Sequence, residues 1–173
     1  MNPYEQQQAV FKIGVVSEID PGSCTARVRF EDLDGLDTMR IPVGVRKSLK
    51  DKSYWMPDVG EHVACLLDVN AETGVILCAI YSAADGTPVS SPDKHHVRFE
   101  DGTWIEYDRE EHRMRISCVG DVEVVTEGDA KISAAGNAEL RAGGFGQVVA
   151  DGELLIKSSS RLILKGPTSR IDL

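Results

Sequence analysis

From residue 120 the chain opens a new unit on every eighth residue. Glycine stands at 120, 128, 136, 144 and 152, and Ser160 takes the same place in a sixth unit. The units read GDVEVVTE, GDAKISAA, GNAELRAG, GFGQVVAD, GELLIKSS and SRLILKGP. With the opening residue counted as zero, positions two, four and six hold eighteen residues, none of them charged. Of the twenty-four other non-opening residues, twelve are charged. This contrast is the two-residue alternation of a strand with one dry face. Met114, Ile116 and Cys118 keep the same phase ahead of Gly120.

Eight residues make a strand of ordinary length plus a sharp corner and span only about 17–20 Å. One octad is therefore one side of a prism and cannot close a coil. Closure takes three successive octads of one chain or three interleaved chains, and the period fits both. Gly120, Gly128, Gly136, Gly144 and Gly152 are the expected corners, where a turn needs positive φ or close backbone approach. The expected core is the line Val122, Val124, Ile132, Leu140, Val148, Leu154, Ile156, Leu162 and Leu164. These nine side chains cannot by themselves offset the ordering of six octads in a lone chain. Three chains sharing one core would cover the strand edges, so a homotrimer is preferred to a single-chain solenoid.

The preceding residues read differently. Residues 1–10 form a tail, and 11–82 contain five β-rich segments: FKIGVVSEI, CTARVRF, TMRIPVGV, EHVACLL and GVILCAIYS. Pro, Gly and Asp stand between them, and helix-start signals are missing, which predicts a small antiparallel barrel or sandwich. Residues 83–95, AADGTPVSSPDKH, are a connector. HVRFEDGTWIEYD follows as a hairpin around Asp101–Gly102, so that 96–167 form the second, repeat-bearing domain and 168–173 the C-terminal end.

Charge and leader signals exclude several classes. Nineteen Lys and Arg against 28 Asp and Glu give a net charge of −9, which opposes nucleic-acid binding through phosphate neutralisation. MNPYEQQQAVFKIG has no basic region followed by an apolar run, so a signal peptide is not expected. Cys24, Cys65, Cys78 and Cys118 have no metal-finger spacing and read as small buried hydrophobes of a reduced compartment.

Sites of chemistry are sparse. His95 and His96 point to opposite faces of a strand and do not share a metal. Glu31, Asp32, Asp34 and Asp37 lack the twelve-residue loop and terminal Glu of a calcium site and read as a strand connection. Ser91 and Lys94 match a serine–x–x–lysine spacing inside a Pro-rich linker, a chance match. Glu106, Asp108, Glu110 and Glu111 follow from hairpin alternation rather than from a glycosidase pair. No catalytic residue, metal ligand or cofactor is expected. Tyr54 and Trp55, with Arg46 and Lys47 nearby, form a candidate docking loop for a protein partner, against the alternative of burial on the barrel.

Taken in order, GVVSEIDPGSCTARVRF, YWMPDVGEHVACLL, GVILCAIYS, SPDKHHVRFEDGTWIEYDREEHRMRISCVGDVEV and the octads resemble the baseplate assembly protein V family. These are the central spike proteins of contractile-tailed phages and related tailocins, and the resemblance runs from about residue 12 to about residue 165. It implies an all-β chain: an N-terminal oligonucleotide/oligosaccharide-binding-type barrel, then an intertwined trimeric β-helix of octapeptide repeats. It also implies a non-enzymatic protein of the particle's tail baseplate, made in the host cytoplasm. Such a protein is bound to a trimeric hub and driven through the target outer membrane on sheath contraction. A carbohydrate-acting β-helical tail spike and an oligonucleotide-binding module are the other classes. Many members of the family hold iron at the tip in a His-x-His pair. The last histidine here is His112, so no such metal is expected, and a separate tip-capping protein is expected instead. No long insertion separates barrel from helix, so the lysozyme domain of some related spikes is missing.

Overall fold

The computed structural model describes residues 9–83 and 85–166. Nearly all regular structure is β, apart from one 3₁₀ turn at Glu31–Leu33. The chain divides into two compact units, Met1–Val122 and Glu123–Leu173.

The first unit begins with β1 (Val10–Asp20) and β2 (Thr25–Phe30). Asp20 makes the turn between them. One carboxylate oxygen accepts the Gly22 and Ser23 N–H groups at 3.1 and 3.4 Å, and the other accepts the Ser23 hydroxyl at 2.8 Å. The Ser23 bond leads in holding the Asp20 carboxyl below its ordinary value. Two-residue strands β3 (Leu36–Asp37) and β4 (Ile41–Pro42) follow, then β5 (His62–Leu67) and β6 (Gly74–Ala79). The antiparallel order is β3-β2-β1-β5-β6, with β4 also on β2.

Strand β1 does two jobs. Its first half, Val10 to Val15, pairs with β5, and Val15 to Asp20 pairs with β2 across an irregularity between Val16 and Glu18. Such a bulge bends a strand and lets one ribbon serve two directions of the sheet. The core packs Val16, Ala26, Val28, Phe30, Ile41, Val63, Cys65, Leu67, Ala71 and Ile76. Gly14 lies beneath Phe30, where a Cβ would stand 2.6 Å from both Phe30 Cε1 and Val28 Cγ1.

The sheet is not closed. TMRIPVGV, expected as a full strand, contributes only β4, because Pro42 has no N–H to donate to a ladder. Beyond it, a single parallel bridge joins Val43 to Ile76, and the Gly44 N–H donates to the Ile76 carbonyl at 2.8 Å. The acidic connection is spent on ion pairs: Asp32 with Lys12 at 2.6 Å and Asp37 with Arg29 at 3.3 Å. Of the cysteines, only Cys65 is buried, and burial pushes its thiol up to about 11. Cys24 is half-buried, and Cys78 and Cys118 are exposed, contrary to the expectation for all four.

A second sheet in this unit has the order β7 (Lys94–Arg98), β8 (Trp104–Asp108), β9 (Arg113–Ser117). The β7–β8 turn is the expected hairpin. Gly102 takes φ +91°, and Asp101 accepts the Thr103 N–H at 2.8 Å. One face carries a compact ionic cluster. Lys94 Nζ donates to Glu106 at 3.0 Å and lies 3.7 Å from Asp108, and His96 Nδ1 is 3.0 Å from Glu106. His96 stacks on Trp104 with ring centroids 5.8 Å apart.

The Lys94 hydrogen bond, opposed by desolvation and aided by His96, holds the Glu106 carboxyl below its usual 4.5. The Glu111 N–H does the same for Asp108 below 3.8. Groups with depressed values lend stability above their unfolded pKa and lose it as pH falls through the folded one. The hairpin is therefore expected to weaken on acidification below about pH 4.5. Urea unfolding of the protein across that range checks this, with Glu106→Gln showing the shallower loss.

The described N-terminal boundary of the first sheet is Val10, one residue before the expected domain start. The tail at 1–8, Pro167 and the C-terminal end at 168–173 lie outside the described residues.

Candidate assembly interface

The octad-bearing segment has a simple local geometry. The backbone bends at 119–120, 127–128, 135–136, 143–144, 151–152 and 159–160, and each pair ends on an octad-opening residue. Between the bends, no residue from 121 to 166 joins a strand or a helix. The eight-residue period is thus present in the backbone, but the ladders that would make it a sheet are missing among the described residues.

Every described residue of this unit is exposed. Within the expected core, Ile132 is 97% exposed, Leu140 93% and Val124 87%, and even Leu154, the best covered, is 52% exposed. Val122, Val148, Ile156, Leu162 and Leu164 are exposed as well. The chain does not coil its own octads around this line. Met114 and Ile116 on β9 are exposed too, so the apolar phase is uncovered before the octads begin.

Within a single chain the octad-opening glycines carry no local constraint. The positive-φ glycines are Gly35, Gly60, Gly74 and Gly102, none of them an octad opener. A Cβ built on Gly120, Gly128, Gly136, Gly144 or Gly152 would meet nothing within 4 Å. Within one chain, neither left-handed backbone nor crowding calls for glycine there. His112, eight residues before Gly120, does take a left-handed φ of +51°.

The candidate docking residues Arg46, Lys47, Tyr54 and Trp55 have different surroundings. The Tyr54 hydroxyl donates to the Pro21 carbonyl at 3.2 Å, and the Lys47 ammonium pairs with Asp51 at 3.1 Å. Trp55 is 64% exposed and stacks on Phe99 with centroids 5.7 Å apart at an interplanar angle of 10°. Arg46 and Trp55 line one cleft of about 1060 Å³ together with Tyr81 and Phe99, whereas Lys47 and Tyr54 do not line it. Trp55 is therefore neither buried on the sheet nor free, since one ring face is covered.

No family model matches the chain. Over 116 residues it is 28% identical to the Spike protein of Escherichia phage P2. The chain is thus similar in sequence to a phage spike protein. The match covers 66% of this chain and 54% of the relative, so the chain spans about half the length of the curated relative it matches.

The exposed aliphatic residues of the octads form an apolar surface of the kind that marks interaction sites. Two features of the first unit were not foreseen from the sequence: the Phe99 lid on Trp55 and the Lys94–His96–Glu106 cluster. The signal for the cluster was present, since an alternating hairpin that places Lys, His and Glu on one face brings opposite charges together.

Proposed function

We propose that this chain is the structural central spike of a contractile-tail baseplate, a non-enzymatic homotrimer. The observation that carries the trimer is the exposure of all nine aliphatic octad residues in a single chain. Such a line is stable only when covered, and two further copies present the same line at the same spacing. The likeness to a phage spike protein supports the placement in a virion tail, and the family resemblance supplies the baseplate and its hub.

In this assignment residues 11–82 are an oligonucleotide/oligosaccharide-binding-type barrel, and 96–167 lead into an intertwined β-helix. The Val43–Ile76 bridge supports the barrel, because it links the β4 end of the sheet to β6. The loop carrying Arg46, Lys47, Tyr54 and Trp55 docks to the trimeric hub. The octad prism is driven through the target outer membrane on sheath contraction, with a separate small protein capping its C-terminal end. Synthesis is in the host cytoplasm, and the mature location is the phage or tailocin baseplate.

Function is then mechanical. A prism whose strands are hydrogen-bonded to neighbouring chains around a dry core resists bending, and its narrow section concentrates force. Immunogold labelling with antibody to this chain is expected to mark the baseplate end of the particle. Label along the sheath, or none on intact and disrupted particles, would contradict the assignment.

Glycine at the octad corners has its role between chains. Gly136→Val is expected to leave the monomer's first unit unchanged while lowering the yield of trimer, as read by native mass. Full assembly of the variant would remove close approach between chains as the reason for glycine.

A further inference from the structure

We propose that the loop 46–53 docks on a carboxylate-rich protein surface, with Lys50 and Lys52 meeting its acids and Leu49 entering an apolar hollow between them. This rests on the hub-docking reading and adds to it the chemistry of the partner's face and the three residues that meet it.

Charge singles the loop out. The first unit holds thirteen Lys and Arg, and nine of them pair with a carboxylate of the chain. The four without an ion-pair partner among the described residues are Arg46, Lys50, Lys52 and Arg98. Three of the four therefore fall within seven residues. Arg46, Lys47, Lys50 and Lys52 against the single Asp51 leave this segment at +3, in a chain of net charge −9. The sequence has 28 Asp and Glu, yet none of the described ones reaches these three cations. A local field opposite in sign to the rest of the molecule steers an acidic partner to this face and disfavours basic ones.

The backbone holds the charge outward. Residues 44–55 are exposed without a break. The Ser53 N–H donates to the Lys47 carbonyl at 2.9 Å, and the Lys47 N–H donates to Ser53 Oγ at 3.2 Å. These bonds close 47–53 into a ring, which the Lys47–Asp51 pair braces at 3.1 Å. A loop closed in advance loses less freedom on docking than an open one. Leu49 lies within the ring, is 78% exposed and belongs to no buried cluster of the described residues. An aliphatic side chain set among cations matches the apolar centre and polar rim of a protein interface.

A protein face fits this loop better than an anionic bilayer. Seating in a bilayer takes an apolar face several residues wide. Leu49 stands alone, the Tyr54 hydroxyl is tied to Pro21, and Phe99 covers one face of Trp55. Asp51 and the overall −9 also oppose a continuous anionic sheet, whereas the discrete carboxylates of a protein lie clear of Asp51.

Carbodiimide coupling of intact particles carrying the full chain tests the proposal. The reagent joins a lysine amine to a carboxylate in contact with it, forming an amide with loss of water. Lys47 with Asp51 is the internal control. Mass spectrometry is expected to find Lys50 or Lys52 joined to an Asp or Glu of another baseplate protein. The control coupling without such a peptide overturns the proposal, as does coupling of both lysines only to copies of this chain. Both results leave the spike assignment standing, whereas absence of the chain from the particles overturns the two together. A second measurement is release of the chain from particles by salt. Lys50→Gln with Lys52→Gln is expected to lower the salt needed for half-release several-fold, and Lys47→Gln, already spent on Asp51, to shift it little. Release of the double variant at the wild-type salt concentration would overturn the pairing. Cosedimentation of the purified full chain with phosphatidylglycerol vesicles, lost in the double variant, would overturn it in favour of a lipid surface.

Discussion

Leu140→Asp is expected to convert the protein from trimer to monomer. Leu140 sits at position four of the third octad, with the longest run of repeats on either side, and is 93% exposed in one chain. In the assembled prism, three copies of it meet at one level. Aspartate there would place three carboxylates together in a dry core. Removing a single unpaired charge from water costs several kcal/mol, and mutual repulsion adds to it. In an isolated chain the same change is nearly neutral, because the residue is already in water. Ser133→Asp, one of the outward positions, provides the control and is expected to assemble normally. Light scattering of both variants distinguishes a core position from a surface one. A fully trimeric Leu140→Asp would place the aliphatic line outside any interface.

The second large effect belongs to the first unit. Gly74→Ala is expected to destabilise the first sheet by about 3 kcal/mol, the upper range for overpacking a tight site. A Cβ on Gly74 would run into the Leu66 carbonyl and stand 2.7 Å from Leu67 Cα. These are backbone atoms of the paired strand β5 and cannot swing aside. Leu67 lies in the core, so separating β6 from β5 also opens the packing around Ile76. Denaturant unfolding followed by tryptophan fluorescence measures the loss. Gly86→Ala, where a Cβ meets nothing within 4 Å, is expected to change little. Equal stability of wild type and Gly74→Ala would contradict the close strand approach.

Much of this architecture is legible in the sequence because it rests on alternation. The eight-residue period and its uncharged face are visible in residue order alone, and the backbone bends fall on the octad openings. Strands β1, β2, β5 and β6 coincide with apolar or alternating segments that turn signals separate. What the sequence leaves open depends on partners distant in the chain. The two-residue β3 is hidden in an acidic stretch, because Leu36 and Asp37 owe their strand state to Phe30 and Arg29 opposite. The hairpin register was one residue from ambiguous. Its pairs are centred on Asp101, which sets His96 rather than His95 opposite Glu106. A one-residue slip would have exchanged the faces. The Trp55–Phe99 stack joins residues far apart in the chain and has no local signature. The purpose of the repeat glycines is likewise invisible in one chain, where no neighbour touches them.

The central claim is that the octads are completed by other copies of this chain. The most direct test is the native mass of the purified wild-type protein by light scattering. Three times the chain mass of 18.9 kDa is the predicted result. A protein that stays at 18.9 kDa over the accessible concentration range, with its octads protected from proteolysis, would contradict it.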